Sequence, residues 1–423
     1  MSTGRRRQAD IYLAGVRGRK PRVPVDPAML ERRGQEALSR EAFAYVAGAA
    51  GLEETMLSNR RALERWRIVP RMLRDVSARD TSVELLGRKL PAPFLLAPIG
   101  VLEMADPDAD LAVARAAAAT GVPMIFSSQA SRPMEACAQA MGDAPRWFQL
   151  YWSTSNALVE SFVHRAEACG CGAIVVTLDT TMLGWRIRDL DLAYLPFLRG
   201  KGIAQYTSDA VFQELVSEAL REPREDTSGL ITPAALAALI AMARAYPGRF
   251  WANLFSPRPR AAVRTFIDVY SRPSLVWADL PFLRGLTPLP ILLKGILAAD
   301  DARRALEAGV NGIVVSNHGG RQVDGAVASI DALPGVVEAV DGRIPVLLDS
   351  GIRSGADVFK ALALGATAVL VGRPYVYGLA LAGEAGVREV VENLVADFDL
   401  TMRLAGCAGA AEIGREAVTP STS

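Results

Sequence analysis

Cysteine is scarce in this chain of 423 residues, and its scarcity excludes a fold held together by disulfides. The four cysteines are Cys137, Cys169, Cys171 and Cys407. Four in so long a chain do not form the framework of a small disulfide-rich domain. Cys169 and Cys171 stand close together, but no second pair of cysteine or histidine accompanies them, as a metal site would require. We therefore predict buried thiols and no metal site.

A strong net charge and a long apolar run are also absent. The 47 basic and 46 acidic residues leave a net charge of +1, which gives no indication of nucleic-acid binding. The most apolar window, 230–243, contains Pro233 and is too short to cross a bilayer. The N-terminus is basic, but no apolar core of a signal peptide follows it. These features predict a soluble cytoplasmic protein.

Only two histidines are present, so a catalytic imidazole has two candidates. His164 lies in an amphipathic helical pattern and is expected at the surface or in packing. His318 belongs to the segment 316–321, directly after the apolar run 312–315, which has the length of a buried strand. Two glycines let the backbone turn sharply there, so that His318 and Arg321 can enter one pocket. A lone histidine after a strand has a structural role about as often as a catalytic one.

Eight short apolar runs alternate with helical segments, and this alternation predicts the fold. The runs lack an apolar–polar alternation, as expected for parallel strands buried on both faces. The eight runs are Phe94–Pro98, Pro123–Ser128, Arg146–Tyr151, Ala173–Asp179, Pro290–Lys294, Gly312–Ser316, Pro345–Asp349 and Ala368–Gly372. They predict an α/β fold, a (β/α)₈ TIM barrel. A doubly wound sheet is the alternative, but no Gly-x-Gly-x-x-Gly turn follows the first run.

The chain divides into four segments. Residues 1–27 form a basic arm, which we expect to be solvated and partly disordered, although it could bind phosphate or a partner subunit. Residues 28–90 form an N-terminal helical segment, 91–403 the barrel, and 404–423 a C-terminal tail. Residues 182–289, between the fourth and fifth strands, are too many for an ordinary barrel loop. We predict that this insertion forms a lid over the barrel mouth.

Polar and charged side chains stand at the strand ends from the third strand onward. They are Gln149, Tyr151, Thr177, Asp179, Lys294, Ser316, His318, Asp349, Arg353 and Arg373. In a barrel, such groups converge on the catalytic mouth. The loops 349–355 and 371–374 follow the seventh and eighth strands, where barrels often hold phosphate on backbone N–H groups. We expect Arg353 and Arg373 to add positive charge there.

Lys294, two arginines and Tyr45 are further candidates for the site. Lys294 is a cation aimed into the barrel mouth, and the alternative is a structural salt bridge to Asp349. Arg186 and Arg321 are suited to holding a small carboxylate with two hydrogen bonds each. Tyr45, on its own, is a core or interface aromatic.

Taken together, these residues resemble the FMN-dependent α-hydroxy-acid oxidase/dehydrogenase family. The resemblance extends from about Tyr45 to Arg403, and the His-Gly-Gly-Arg signature is specific. The segments that carry it are Ser-Asn-His-Gly-Gly-Arg-Gln (316–322), Leu-Lys-Gly (293–295), Phe-Gln-Leu-Tyr (148–151), Thr-Leu-Asp-Thr (177–180), Asp-Ser-Gly-Ile-Arg (349–353) and Gly-Arg-Pro (372–374). The family fold is the barrel predicted above.

The resemblance implies that the protein binds FMN. The flavin ring would lie along Pro98, Ile99 and Gly100, and Lys294 would stabilise its reduced, anionic form. The other residues implied to hold the cofactor are Ser127, Gln149 and Thr177 at the polar edge of the ring, Ser316 and Asp349, and Gly351, Arg353, Gly372 and Arg373 at the phosphate.

The resemblance also implies the substrate site. Tyr45, Arg186 and Arg321 would hold the carboxylate of a 2-hydroxy acid, and Tyr151 its hydroxyl. His318 would act as general base, while Asp179 would orient the imidazole and stabilise its protonated form.

The expected reaction is oxidation of a small L-2-hydroxy acid, L-lactate, by O₂ to acetate, CO₂ and water, as in lactate 2-monooxygenase. The grounds are the long insertion, the segments 184–190, 97–101 and 372–378, and the space beside the flavin left by Gly100. The alternatives are an oxidase that releases keto acid and H₂O₂, a dehydrogenase with another acceptor, and a flavin-binding barrel without catalysis. The resemblance implies a homotetramer or homo-octamer. The insertion could rest on a membrane, but a lid or a subunit contact is favoured.

Overall fold

The structure is a computed structural model that describes residues 4–221 and 232–421. The strands are short, and most are apolar throughout. They are β1 (Trp66–Ile68), β2 (Val83–Leu85), β3 (Arg88–Leu90), β4 (Phe94–Leu96), β5 (Met124–Phe126), β6 (Arg146–Leu150), β7 (Ile174–Thr177), β8 (Ile291–Ile296), β9 (Gly312–Val315), β10 (Val346–Leu348), β11 (Ala368–Val371) and β12 (Val418–Pro420).

Strands β4 to β11 form a closed parallel barrel, which confirms the predicted (β/α)₈ fold. The barrel closes where β11 pairs with β4, with Val371 opposite Leu96. Each barrel strand falls within one of the eight predicted runs or extends it by two residues. Two short antiparallel pairs, β1–β12 and β2–β3, lie outside the barrel.

Helices surround the barrel and build the insertion. They are α1 (Gly4–Val16), α2 (Pro27–Ala37), α3 (Arg40–Ala47), α4 (Glu54–Glu64), α5 (Asp110–Thr120), α6 (Met134–Met141), α7 (Asn156–Ala168), α8 (Ile187–Asp191), α9 (Ala204–Thr207), α10 (Ala210–Ala219), α11 (Pro233–Ala245), α12 (Phe250–Leu254), α13 (Arg258–Val269), α14 (Leu280–Leu286), α15 (Ala299–Glu307), α16 (Ser329–Val340), α17 (Gly355–Ala363) and α18 (Arg373–Leu404). Helix α18 is interrupted at Ala382 and Gly383, whose backbone angles are not helical.

The barrel strands bury both faces, which explains their continuous apolar sequence. One set of side chains fills the barrel interior and includes Leu95, Ile125, Val175 and Leu292. The alternate residues, such as Phe126, belong to the larger core between the barrel and its helices. The Cβ positions alternate across a strand, so an all-apolar strand supplies both cores.

The insertion between β7 and β8 contains α8 to α14 and packs on the barrel through an aromatic cluster. Tyr206 is fully buried there, with ring centroids 5.0 Å from Phe162 of α7 and 4.8 Å from Phe266 of α13. Phe197 of the insertion lies 6.4 Å from Tyr45 of α3. The insertion is thereby held against the same helix that contributes to the barrel mouth. Residues 222–231 of the predicted lid lie outside the described residues.

The N-terminal arm differs from its prediction. Residues 4–16 form the helix α1, where the sequence analysis expects a partly disordered segment. The backbone N–H of Gly4 donates to Oδ2 of the fully buried Asp399 at 2.7 Å, and Arg7 forms an ion pair with Glu392 at 3.2 Å. Both acidic partners lie on α18, almost 400 positions away, so a local reading of the basic residues could not identify them.

Several smaller predictions concern burial and chemistry. All four cysteines are free and buried, and His164 is exposed, as predicted. Within residues 4–221 and 232–421, no helix combines the length and the hydropathy needed to cross a membrane.

Candidate active site

A large cavity opens at the C-terminal mouth of the barrel, where catalytic loops of such barrels converge. It encloses about 1020 Å³, open solvent at its mouth included. Most of the predicted site residues line it. These are Tyr45, Pro98, Ile99, Gly100, Tyr151, Arg186, Lys294, His318, Arg321, Asp349, Gly351, Arg353, Gly372 and Arg373.

The other predicted residues lie behind the cavity wall. Ser127, Gln149, Thr177 and Ser316 are buried but do not line the cavity. Ser316 accepts a hydrogen bond from Lys294 Nζ at 2.9 Å, and Ser127 donates to Gln149 Oε1 at 3.3 Å. Asp179 does not line the cavity either, but its carboxylate contacts His318, which does.

His318 and Asp179 form the central pair of the site. The distance from His318 Nδ1 to Asp179 Oδ1 is 2.7 Å. Thr180 Oγ1 lies 3.0 Å from the same carboxylate oxygen and 3.3 Å from His318 Nδ1. A carboxylate on Nδ1 fixes the imidazole and leaves Nε2 free to exchange a proton.

Hydrogen bonds between two side-chain amides, one of them on α4, hold the loop that carries His318. Asn59 of α4 and Asn317 exchange two hydrogen bonds, of 2.9 and 2.8 Å. The Oδ1 of Asn317 also accepts from the Gly320 N–H at 3.2 Å. His318 itself has a φ of 58°, a region that non-glycine residues seldom adopt, so the loop conformation requires this support.

The surrounding charges set the protonation of the pair. Burial lowers the pKa of His318, and nearby Lys294 lowers it further, although Asp179 raises it. Burial alone would raise the pKa of Asp179, but His318 and Lys294 lower it to about 2. Near neutral pH the site therefore holds an ionised Asp179 beside an imidazole that is a weak base in its unliganded state. Burial raises the pKa of the Tyr151 hydroxyl, which stays protonated as a hydrogen-bond donor.

Lys294 forms a salt bridge and also lines the cavity, so the two alternatives considered from the sequence are both present. Its Nζ lies 3.2 Å from Asp349 Oδ2, so the predicted salt bridge is present, and the residue also lines the cavity. Burial lowers the pKa of Lys294, but Asp349 and Asp179 outweigh burial and raise it. The result is a fixed, buried cation at the mouth of the barrel.

Arg321 and Arg186 place two more cations in the same cavity. The Arg321 guanidinium lies over the Tyr45 ring, 4.9 Å from its centroid, and donates to the Tyr45 and Gly48 carbonyls. Arg186 Nε donates to the Arg321 carbonyl at 3.3 Å. Burial and Arg186 lower the pKa of Arg321 to about 9. No carboxylate of the described residues forms a salt bridge with either arginine. Such a pair is suited to an anionic ligand.

A second anion-binding surface lies around Gly351 and Gly372. Gly351 has a φ of 102°, and a Cβ there would lie 3.1 Å from Leu63 Cδ1, so the position requires glycine. Arg353 and Arg373 line this end, and burial lowers the pKa of Arg373 to about 10. Helix α17 begins just beyond, so backbone N–H groups and two guanidiniums meet there. This arrangement fits a phosphate group.

Two buried polar atoms indicate where a further ligand would be bound. Gln149 Nε2 and Thr177 Oγ1 have no hydrogen-bond partner, although the rest of Gln149 is well bonded. Thr177 stands opposite Lys294 in the β7–β8 register. Buried polar groups normally have partners, so these atoms fit the polar edge of a cofactor lying against Lys294. Together with the phosphate surface, they fit FMN.

Comparisons with known proteins agree with this geometry. The sequence profile of the family described as FMN-dependent dehydrogenase matches residues 34–420. The chain is 41% identical over 410 residues to the FMN-dependent alpha-hydroxy acid dehydrogenase qulF of Penicillium citrinum, covering 97% of this chain and 94% of that protein. It is 39% identical to the L-lactate oxidase of Lysinibacillus sphaericus, covering 94% and 93%. A crystal structure of mandelate oxidase superposes with a TM-score of 0.75 at 36% identity, covering 95% and 100%.

The chain belongs to the FMN-dependent dehydrogenase family. It is an FMN-dependent oxidoreductase that oxidises 2-hydroxy acids, and the predicted cofactor and family are confirmed.

Thr180, Asn59 and Gln129 are among the residues of the site that sequence reasoning missed. Thr180 follows Asp179 within a quoted motif, and its hydroxyl could have been considered for that reason. Asn59 lies in a helix far from the motifs, and nothing local indicates its pairing with Asn317. Gln129 lines the cavity one residue beyond a predicted strand end, where the sequence analysis assigned no role.

The unpartnered Thr177 hydroxyl gives a test of the cofactor site. Thr177→Val should weaken FMN binding roughly 3- to 10-fold, the net value of one hydrogen bond. The apoprotein should lose no stability, because the hydroxyl has no protein partner to lose. Thr265→Val is the matched control, since Thr265 Oγ1 is also buried and unpartnered but lies in α13. FMN titration of both apoproteins measures the effect, and equal affinities would show that Thr177 does not contact the cofactor.

Proposed function

We propose that this protein oxidises L-lactate with O₂ and retains the pyruvate in the closed site until it becomes acetate, CO₂ and water, the reaction of a lactate 2-monooxygenase. The proposal depends on one observation, that a histidine–aspartate pair and a pair of arginines lie at the same cavity. The His318–Asp179 pair supplies a base, and the Arg186–Arg321 pair supplies an anion site. A small 2-hydroxy acid requires both.

Substrate binding begins with the carboxylate. Arg186 and Arg321 bind it, and Tyr45 supports Arg321 from beneath while its own hydroxyl completes the site. Tyr151 keeps its proton and donates to the substrate hydroxyl. These contacts fix the hydroxyl-bearing carbon relative to His318.

His318 acts as the general base. Its Nδ1 is held by Asp179, so Nε2 accepts the proton that the hydroxy acid loses. The imidazolium that forms is stabilised by the ionised Asp179. A bound FMN would supply the acceptor for the two electrons that the substrate loses, and O₂ would be their final acceptor, giving hydrogen peroxide. Lys294 would supply a fixed positive charge to a cofactor bound in the cavity that it lines.

Retention of the product depends on the insertion. Leu183, Arg186 and Tyr270 all belong to residues 182–289 and line the cavity. Their position supports closure of the insertion over a bound acid, which excludes water. Pyruvate held in such a site reacts with hydrogen peroxide to give acetate, CO₂ and water.

A second candidate is an oxidase that releases pyruvate and H₂O₂. The names of the relatives favour it, since the proteins from Lysinibacillus sphaericus and Nostoc are both called L-lactate oxidase. The two candidates share every step up to the fate of the keto acid.

The protein's assembly is part of the proposal. Helix α11 is apolar apart from Arg244, yet Ala243 is the sole one of its described residues that is buried. A helix of that composition is normally covered. Its exposure supports the subunit contacts of a homotetramer or homo-octamer, and the location proposed for the assembly is cytoplasmic.

Product analysis tests the proposed reaction. The yellow holoenzyme is reduced by L-lactate without oxygen, and oxygen is then admitted. Acetate and CO₂ without free peroxide are the expected products, because the insertion retains pyruvate. Pyruvate with an equal amount of H₂O₂ would establish the oxidase instead. A flavin that L-lactate does not bleach would contradict lactate as the substrate.

The two histidines provide a matched pair of variants. His318→Gln should lower kcat with L-lactate roughly 10²- to 10⁴-fold, the usual contribution of a general base. His164→Gln should leave kcat unchanged, because His164 is exposed on α7, away from the cavity. FMN content and thermal midpoint are measured for both variants. A His318→Gln variant of normal activity would exclude His318 as the base.

A further inference from the structure

Gln129 is a cavity residue that the proposed reaction does not use. It lies on the loop after β5, and 7% of its surface is exposed. Its backbone N–H donates to Ser127 Oγ at 3.1 Å, and its carbonyl accepts from Val101. Across the described part of the chain, its side-chain amide makes no hydrogen bond with another protein group. Gln129 as a whole is more than nine-tenths buried and lines the cavity, so a molecule in the cavity is the available partner of its amide.

The neighbours of Gln129 show which part of the cavity it serves. A Cβ on Gly100 would lie 3.0 Å from Gln129 Cβ and 3.5 Å from its Oε1. A Cβ on Gly202, in the insertion, would lie 3.0 Å from the Gln129 carbonyl. Gln129 is therefore enclosed between the loop after β4, which contains Gly100, and the insertion, which contains Gly202. The charged groups of the acid and of the phosphate are bound elsewhere, by the four cavity arginines.

We propose that Gln129 recognises a hydroxyl group on C3 of the substrate, so that the protein also oxidises small L-2,3-dihydroxy acids. L-Glycerate, which is L-lactate with one added hydroxyl, is the smallest of them. A glutamine amide both donates and accepts, and a hydroxyl group does the same. The methyl group of L-lactate leaves the amide to be satisfied by water. This inference rests on the proposed function, because it uses the same orientation of the acid.

The reaction is balanced in the same way for both acids. L-Glycerate loses two electrons and two protons at C2, where the alcohol becomes a carbonyl. O₂ would be their final acceptor, with FMN as the carrier when it is bound, so that hydroxypyruvate and H₂O₂ form first. If both are retained in the closed site, they give glycolate, CO₂ and water, as pyruvate and H₂O₂ give acetate, CO₂ and water. The C3 hydroxyl is unchanged and serves recognition alone.

The test compares kcat/KM for L-glycerate and L-lactate in three holoenzymes. The wild type should prefer L-glycerate roughly tenfold, the value of one well-placed hydrogen bond. Gln129→Met keeps the shape of the side chain but lacks the amide, and it should abolish this preference. Gln139→Met, on the exposed side of α6, should keep it.

A binding measurement separates recognition from chemistry. Hydroxypyruvate should bind the oxidised wild type roughly tenfold more tightly than pyruvate does. The Gln129→Met variant should bind the two keto acids with equal affinity. Both affinities are measured from the change in flavin absorbance. The inference is overturned if the wild type and Gln129→Met show the same ratio of kcat/KM for L-glycerate to that for L-lactate. It is also overturned if the variant loses FMN affinity while this ratio is unchanged. If neither acid reduces the flavin, the proposed function fails, whereas turnover of both acids with one unchanged ratio refutes the role of Gln129 alone.

Discussion

An excess of buried positive charge at the barrel mouth governs the rest of this site. Lys294, Arg186, Arg321 and Arg373 all line one cavity, together with Arg353. Asp349 pairs with the lysine, but the described residues supply no carboxylate in a salt bridge with the four arginines. Burial of a cation without a charged partner costs free energy, and this cost lowers the pKa values of Arg321 and Arg373. The cavity is therefore suited to anions, and we propose that it binds a phosphate at one end and a carboxylate at the other.

Burial and charge together determine what His318 can do. Burial contributes most to the lowered pKa of His318 and Lys294 lowers it further, so the imidazole is kept neutral and can accept a proton. Asp179 opposes this effect, since it stabilises the imidazolium once it forms. The geometry is fixed by the barrel, because Asp179 follows the end of β7 and His318 the end of β9, with β8 between these two strands. The Asn59–Asn317 amide pair holds the strained His318 loop in place.

The sequence predicted the barrel because parallel strands buried on both faces leave a simple apolar pattern. The catalytic loop was predictable for a related reason, since histidine is rare and 316–321 is distinctive. Contacts between distant residues could not be predicted. Asn59 meets Asn317 across 258 positions, and Gly4 meets Asp399 across 395. Gln129 escaped notice because an unpartnered amide is defined by its surroundings, which only the fold supplies.

The pH dependence of kcat/KM for L-lactate tests the central claim, that a neutral His318 is the base. Activity should rise with pH through the pKa of the free enzyme's histidine, at a midpoint below the ordinary value of 6.5 because burial lowers that pKa. Asp179→Asn removes the group that raises the pKa, so the midpoint should move lower still while the plateau falls. A midpoint above 6.5, or a profile that Asp179→Asn leaves unchanged, would contradict the account.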